Sequence, residues 1–346
     1  HYDDTAFDAD RDVLLEAMPE NGVGLILNPG CSLESSRSAT ALAEKYSFLY
    51  AAVGIHPDAA HEADAGAVER LREMAGNPRV RAIGEIGLDY YYDDGSPRPV
   101  QRRAFELQLA LAEELGLPVI VHDRDAHADC LDAISAFPKL HGVFHCYSGS
   151  PEMAERLLGM GWYISFTGAV TFKNARRAPE SAAVCPLDRI MLETDSPYMA
   201  PVPLRGHRCD STMLPHICRR IAEIKDVDPA EMERITFENG KRFFGLRYRK
   251  PPAAPHSAAG GFSVAESVRI ASAGQNAGQL RQDIIHAGGL VFLHGRIKAH
   301  RAGQIKRQHD ADGGPPSLAA FDNQRSAVQF RDSACNAEAQ TAARHI

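Results

Sequence analysis

The sequence predicts an α/β protein built as a TIM (β/α)₈ barrel. Three observations carry that prediction: seven short apolar runs rich in β-branched residues, amphipathic stretches between them, and a spacing of about 20 to 38 residues from one run to the next. The runs are largely continuous in their apolar character, as expected of parallel strands covered on both faces. Seven strands leave such a barrel one short.

The predicted strands are VGLILNP from Val23, FLYAAVG from Phe48, VRAIGEIG from Val80, PVIVH from Pro118, GVFHC from Gly142, WYISF from Trp162 and RIMLETD from Arg189. Between them, SPRPVQRRAFELQLALAEELG reads as a helix with Ser96 near its start, Phe105, Leu109 and Ala112 on one face, and Gly116 as its stop. SPEMAERLLGMG offers Ser150 as N-cap and Pro151 at the first helical position, although Met153 stands where a Glu or Gln would complete a capping box. The barrel is expected over residues 1–248. RKPPAAPHSAAGGFS then reads as a Pro/Ala/Gly linker (249–262), and 263–346 as a poorly ordered tail in which only GGLVFLHGRI could form a strand.

At 346 residues and 44% hydrophobic content, the chain can bury a substantial core. No window approaches the roughly 18 to 20 apolar residues of a membrane-spanning helix, and the sequence shows no charged n-region with a hydrophobic stretch behind it. Seven cysteines without a CxxC pair read as free thiols in a reducing cytoplasm. The formal charge of −7 is uneven: residues from 251 onward carry 10 Lys and Arg against 7 Asp and Glu, leaving −10 for residues 1–250. An acidic body argues against broad electrostatic capture of nucleic acid, so a phosphate-bearing substrate would need local cations or metal ions.

In a parallel barrel, working residues stand at the C-terminal strand ends. There the sequence places His56, Glu85, Asp89, His122, His145 and Asp195. Taken singly, each reads as a hydrogen-bonded loop residue or a solvated charge. Together they form a mixed imidazole and carboxylate set suited to divalent metals, with a carboxylate able to bridge two of them. Such a set predicts hydrolysis. No G-x-S-x-G elbow, P-loop or Rossmann glycine fingerprint is present, so neither covalent catalysis nor a nucleotide cofactor is indicated.

AVGIHP, AIGEIGLDYYY, PVIVHDRDA, FHCYSGS, GWYISFTGAVTFKNA and ETDSPYMAPVPLRG stand in an order and spacing that resemble the TatD family of metal-dependent deoxyribonucleases across about residues 1–247. The resemblance implies the barrel of the metal-dependent hydrolase superfamily. It further implies that HYDD at the start continues a D-x-H-x-H motif, with His1 as its second histidine and most of strand one outside this chain. By the same resemblance His1 and Asp195 would hold one metal, His122 and His145 the other, and Glu85 both. Asp195 would also orient or deprotonate water, making Glu85 and Asp195 the catalytic carboxylates. The metals implied are Mg²⁺ or Mn²⁺, with Zn²⁺ as a further option.

Three residues are candidates for substrate binding. His56 reads either as a phosphate contact or as a loop-fixing hydrogen bond before Pro57. Arg124 offers either a phosphate fork or a salt bridge to Asp123 or Asp125, and Arg205 is either a backbone-steering cation or a solvated one. Tyr90 to Tyr92 could stack bases or simply pack the loop. The expected activity is removal of nucleotides from single-stranded DNA ends, with 3′ polarity implied by the family. The alternatives are an amidohydrolase or esterase acting on a small molecule, and an inactive remnant with open barrel edges.

Overall fold

A computed structural model describes residues 1–92 and 95–248, together with the backbone of 289–293. Seven parallel strands follow one another around a barrel: β1 (Val23–Pro29), β2 (Leu49–Val53), β3 (Val80–Asp89), β4 (Val119–Arg124), β5 (Gly142–Phe144), β6 (Tyr163–Phe166) and β7 (Ile190–Thr194). Each pairs with the next in sequence, so chain order and spatial order coincide. All seven apolar runs picked from the sequence coincide with these strands, β3 and β4 each running two residues beyond its run.

An eighth strand, β8 (Gly289–Leu293), closes the ring. It runs antiparallel to both neighbours, with Val291 opposite Ile26 of β1 and Leu290 opposite Glu193 of β7. The seven parallel strands are those expected of a barrel lacking most of its first strand, and the run after residue 248 that the sequence marked as a possible strand stands between β7 and β1 as an antiparallel eighth. The physical reason is the backbone. β1 and β7 would otherwise present unpaired N–H and C=O groups, and any extended segment can satisfy them. The rest of the expected linker (249–262) and tail (263–346) lies outside the described residues.

Among the described residues nine helices accompany the strands: α1 (Arg11–Ala17), α2 (Leu33–Lys45), α3 (Ala65–Ala75), α4 (Arg98–Leu115), α5 (His127–Ser135), α6 (Pro151–Gly159), α7 (Arg177–Val184), α8 (Leu214–Lys225) and α9 (Pro229–Phe244). The Ser150 hydroxyl caps α6 by accepting from the Met153 N–H at 3.3 Å. Gly116 ends α4 in the left-handed conformation (φ +64°), which costs a glycine little. None of these helices is long and apolar enough to cross a membrane.

The two faces of each strand have different partners. Val119, Val121, Phe144, Ile164 and Leu192 pack outward against Phe105 and Leu109 of α4 and Ile217 and Ile221 of α8. The alternate residues Ile120, Val143, Tyr163 and Met191 share a second cluster with Phe237, Phe243 and Phe244 of α9. That inner cluster fills the barrel, each buried phenylalanine contributing about 1.5 to 3 kcal/mol of apolar burial. Residues further along the same inward rows therefore open at the C-terminal mouth.

Candidate metal centre

Strand alternation delivers most of the site. Two residues beyond Ile120 stands His122, two beyond Val143 stands His145, and two and four beyond Met191 stand Glu193 and Asp195. All four are buried. Glu85 arrives differently: the register between β3 and β4 shifts between Ile83 and Ile86, and the carboxylate within that irregularity turns toward the mouth. Just beyond, Gly87 pairs with His122 at φ +148°, and a Cβ there would collide with the His122 carbonyl oxygen. Only glycine lets β3 lie so close to that histidine.

Glu85 is the hub. Its Oε1 lies 2.7 Å from His145 Nε2, 2.9 Å from His122 Nδ1 and 3.5 Å from His56 Nε2, while Oε2 lies 3.6 Å from His1 Nε2. Four imidazoles from four parts of the chain thus surround one carboxylate that is inaccessible to solvent. His1 is firmly held there. Its amino group donates to the Ser196 carbonyl at 2.6 Å, and the next backbone N–H, of Tyr2, donates to Asn28 Oδ1 at 2.6 Å.

The charges follow from these neighbours. Burial alone would raise the Glu85 pKa, but the His145 charge and the close imidazoles of His1, His122 and His145 outweigh it and hold the carboxyl well below its usual range. Burial opposes charge on His122, yet Asp89 and Glu85 lift it to about 9. Burial likewise opposes charge on His145, and Glu85 and Glu193 hold its pKa well above normal. Asp195 shows the converse: burial, reinforced by Glu85 and Glu193 against the pull of His145 and His1, lifts its carboxyl to about 7.

Several polar atoms here are buried without a hydrogen-bond partner: His1 Nε2, His56 Nε2, His145 Nδ1, Glu193 Oε2 and Asp195 Oδ1. Orphaned buried donors and acceptors are costly, and a cluster of them around one carboxylate fits groups arranged for a cation. Ligand atoms of His56, Glu85 and His122 lie within 4.8 Å of one another, as do those of His1, Cys31 and Glu85. Imidazole, carboxylate and thiol are all donors for divalent metals, so the residues fit the group.

The remaining candidates take distinct places. His56 is buried: its Nδ1 accepts from the Asp58 N–H at 3.2 Å, which fixes the loop, and its ring meets His122 edge-on at 4.4 Å. It lies within the cluster and not on the rim. Arg124 stacks on Tyr91 at 3.7 Å and Tyr92 at 5.1 Å and donates to the Tyr92 hydroxyl at 3.3 Å. Arg205 is exposed and lies 3.8 Å from the Phe172 ring centroid.

Sequence reasoning placed Asp89 at a strand end without assigning it a partner, and missed Glu193 and Cys31. Asp89 holds His122 Nε2 at 3.0 Å, Glu193 faces His145 Nδ1 at 3.5 Å, and Cys31 faces His1 Nδ1 at 3.5 Å. Alternation contained the signal for Glu193, which shares its row with Asp195. For Cys31 there was none, because it lies in the loop after β1.

Buried imidazoles and carboxylates converging at the C-terminal mouth of a (β/α)₈ barrel define the class of metal-dependent barrel hydrolases. The chain matches the TatD related DNase family over residues 1–245 and belongs to that family. It is 36% identical over 248 residues to the uncharacterized metal-dependent hydrolase YabD of Bacillus subtilis (strain 168), covering 71% of this chain and 97% of that protein. It is 39% identical over 247 residues to the 3′-5′ ssDNA/RNA exonuclease TatD of Cronobacter sakazakii (strain ATCC BAA-894), covering 69% and 93%. The crystal structure of YJJV, a TatD homolog from Escherichia coli K12, matches with a TM-score of 0.67 at 30% identity, covering 71% of this chain and 96% of that one.

Proposed function

We propose that this metal-dependent hydrolase removes nucleotides from the 3′ ends of single-stranded DNA in the cytoplasm, using two divalent cations. His122, His145 and Glu85 would hold one cation, and His1, Asp195 and Glu85 the other, with Mg²⁺, Mn²⁺ or Zn²⁺ as the ion. The observation that carries the proposal is the Glu85 carboxylate ringed by His1, His56, His122 and His145. Kinship with an exonuclease named for single-stranded DNA and RNA supports the substrate.

When bound, the metals supply Lewis acidity toward phosphoryl oxygens and an activated water. The chain's own residues would do the rest. Asp195 would orient or deprotonate the attacking water, and its orphaned Oδ1 is the atom available to do so. Asp89 and Glu193 would orient His122 and His145. At the rim, half-exposed Tyr91 with Arg124 against its face offers a base a surface to stack on, and Arg205 would steer the strand's backbone. The acidic body disfavours binding along a duplex, which leaves entry of a flexible end into the mouth as the better route.

The test is degradation of 3′- and 5′-labelled single-stranded oligonucleotides with Mg²⁺ or Mn²⁺, beside Glu85→Gln. Wild type should shorten the strand from its 3′ end, and the variant should be at least about 10- to 100-fold slower. Equal rates, or activity confined to model esters, would sink the proposal.

A further inference from the structure

We infer that Cys31 is a thiolate ligand of the cation held by His1 and Glu85, which makes that position a nitrogen, oxygen and sulfur site selective for zinc-like ions over magnesium. The inference rests on the reading of the barrel mouth as a metal centre.

Geometry brings the three residues together. Ligand atoms of His1, Cys31 and Glu85 lie within 4.8 Å of one another, and Cys31 Sγ is 3.5 Å from His1 Nδ1. A second observation points to a ligand at His1: its other ring nitrogen, Nε2, is buried, faces Glu85 Oε2 at 3.6 Å and makes no hydrogen bond.

The loop carrying the thiol is fixed from both sides. Cys31 N–H donates to Ser35 Oγ at 3.1 Å, and its carbonyl accepts from His56 N–H at 2.9 Å. Ser35 Oγ in turn donates to Asp3 Oδ2 at 2.6 Å, tying this loop to the segment that carries His1. A ligand held by rigid backbone loses little freedom on binding.

Chemistry then decides the ion. As the sulfur–metal bond forms, the thiol proton leaves to solvent, and thiolate with carboxylate balances the charge of a divalent ion. Thiolate suits zinc and cobalt, whereas magnesium demands oxygen ligands in octahedral array. The other thiol near the cluster, Cys146, is directed to Thr167 Oγ1 at 3.4 Å and is not assigned to the metal.

The experiment is a Co²⁺ titration of the chelator-stripped full chain, followed by absorption. Visible d–d bands report cobalt in the site, and a near-ultraviolet charge-transfer band reports a sulfur–cobalt bond. Wild type and Cys146→Ser should show both. Cys31→Ser and Cys31→Ala should keep the d–d bands, lose the charge-transfer band, and bind Zn²⁺ at least about tenfold more weakly with Mg²⁺ affinity little changed. Cobalt bound by wild type without the charge-transfer band, or a band that survives in both Cys31 variants, overturns the Cys31 assignment and leaves the metal centre standing. No cobalt bound by wild type overturns the metal centre itself. The wild-type spectrum decides whether sulfur binds even if a variant fails to fold.

Discussion

Asp89 Oδ2 lies 3.0 Å from His122 Nε2, and because His122 Nδ1 lies 2.9 Å from Glu85, both nitrogens of this imidazole face carboxylates. One nitrogen is thereby turned to the centre and the other is held from behind. Asp89 is itself fixed: its N–H donates to Gln101 Oε1 at 2.8 Å, and its Oδ1 accepts from Tyr91 N–H at 3.0 Å. Asp89→Asn keeps the shape and removes the charge. It should weaken metal binding by about 10- to 100-fold and, because the charge that supports protonated His122 is lost, lower the unfolding midpoint of chelated protein as well. Calorimetric affinities within twofold of each other would show that Asp89 does not orient the ring.

Proton release should accompany metal uptake. Metals bind neutral imidazole, and in the metal-free protein His122 keeps its proton up to about pH 9. Affinity should therefore rise with pH by about tenfold per unit for each proton displaced. In chelated protein the sign reverses. A raised histidine pKa contributes stability that is complete below the unfolded value near 6.5 and is lost as pH climbs through about 9. Metal titrations and denaturant melts across that range check both, and a flat affinity profile would contradict the first.

Gly87→Ala tests the packing behind His122. A methyl group there would meet the His122 carbonyl oxygen on a backbone with φ +148°, so the strands must separate. We expect a loss of about 1 to 3 kcal/mol in denaturant unfolding, together with weaker metal binding as the imidazole shifts. Wild-type stability would mean that β3 and β4 have slack at this point.

Much of this was legible in the sequence, and the physical reasons are specific. β1 matched its seven-residue run from Val23 to Pro29 because a strand buried on both faces leaves an unbroken apolar signature. His122, His145 and Asp195 were found because parallel barrels place function at strand ends. What stayed hidden depended on tertiary geometry. The inward turn of Glu85 comes from a register shift that no periodicity records. His56 was left between a phosphate contact and a loop-fixing hydrogen bond, because local sequence cannot show how close its ring comes to Glu85 and His122. The use of residues 289–293 as a barrel strand was not legible, because five residues of apolar character say nothing about where a partner edge waits.

β8 also has a consequence for how the chain folds. Ile26 and Val291 are paired across 265 positions of sequence, whereas each of β1 to β7 pairs with the strand that follows it. The pairings among β1 to β7 join neighbours in sequence, whereas those of β8 wait for a distant segment to arrive. Such long-range pairing must close a large loop before it is rewarded, so it is the slow step in completing the ring.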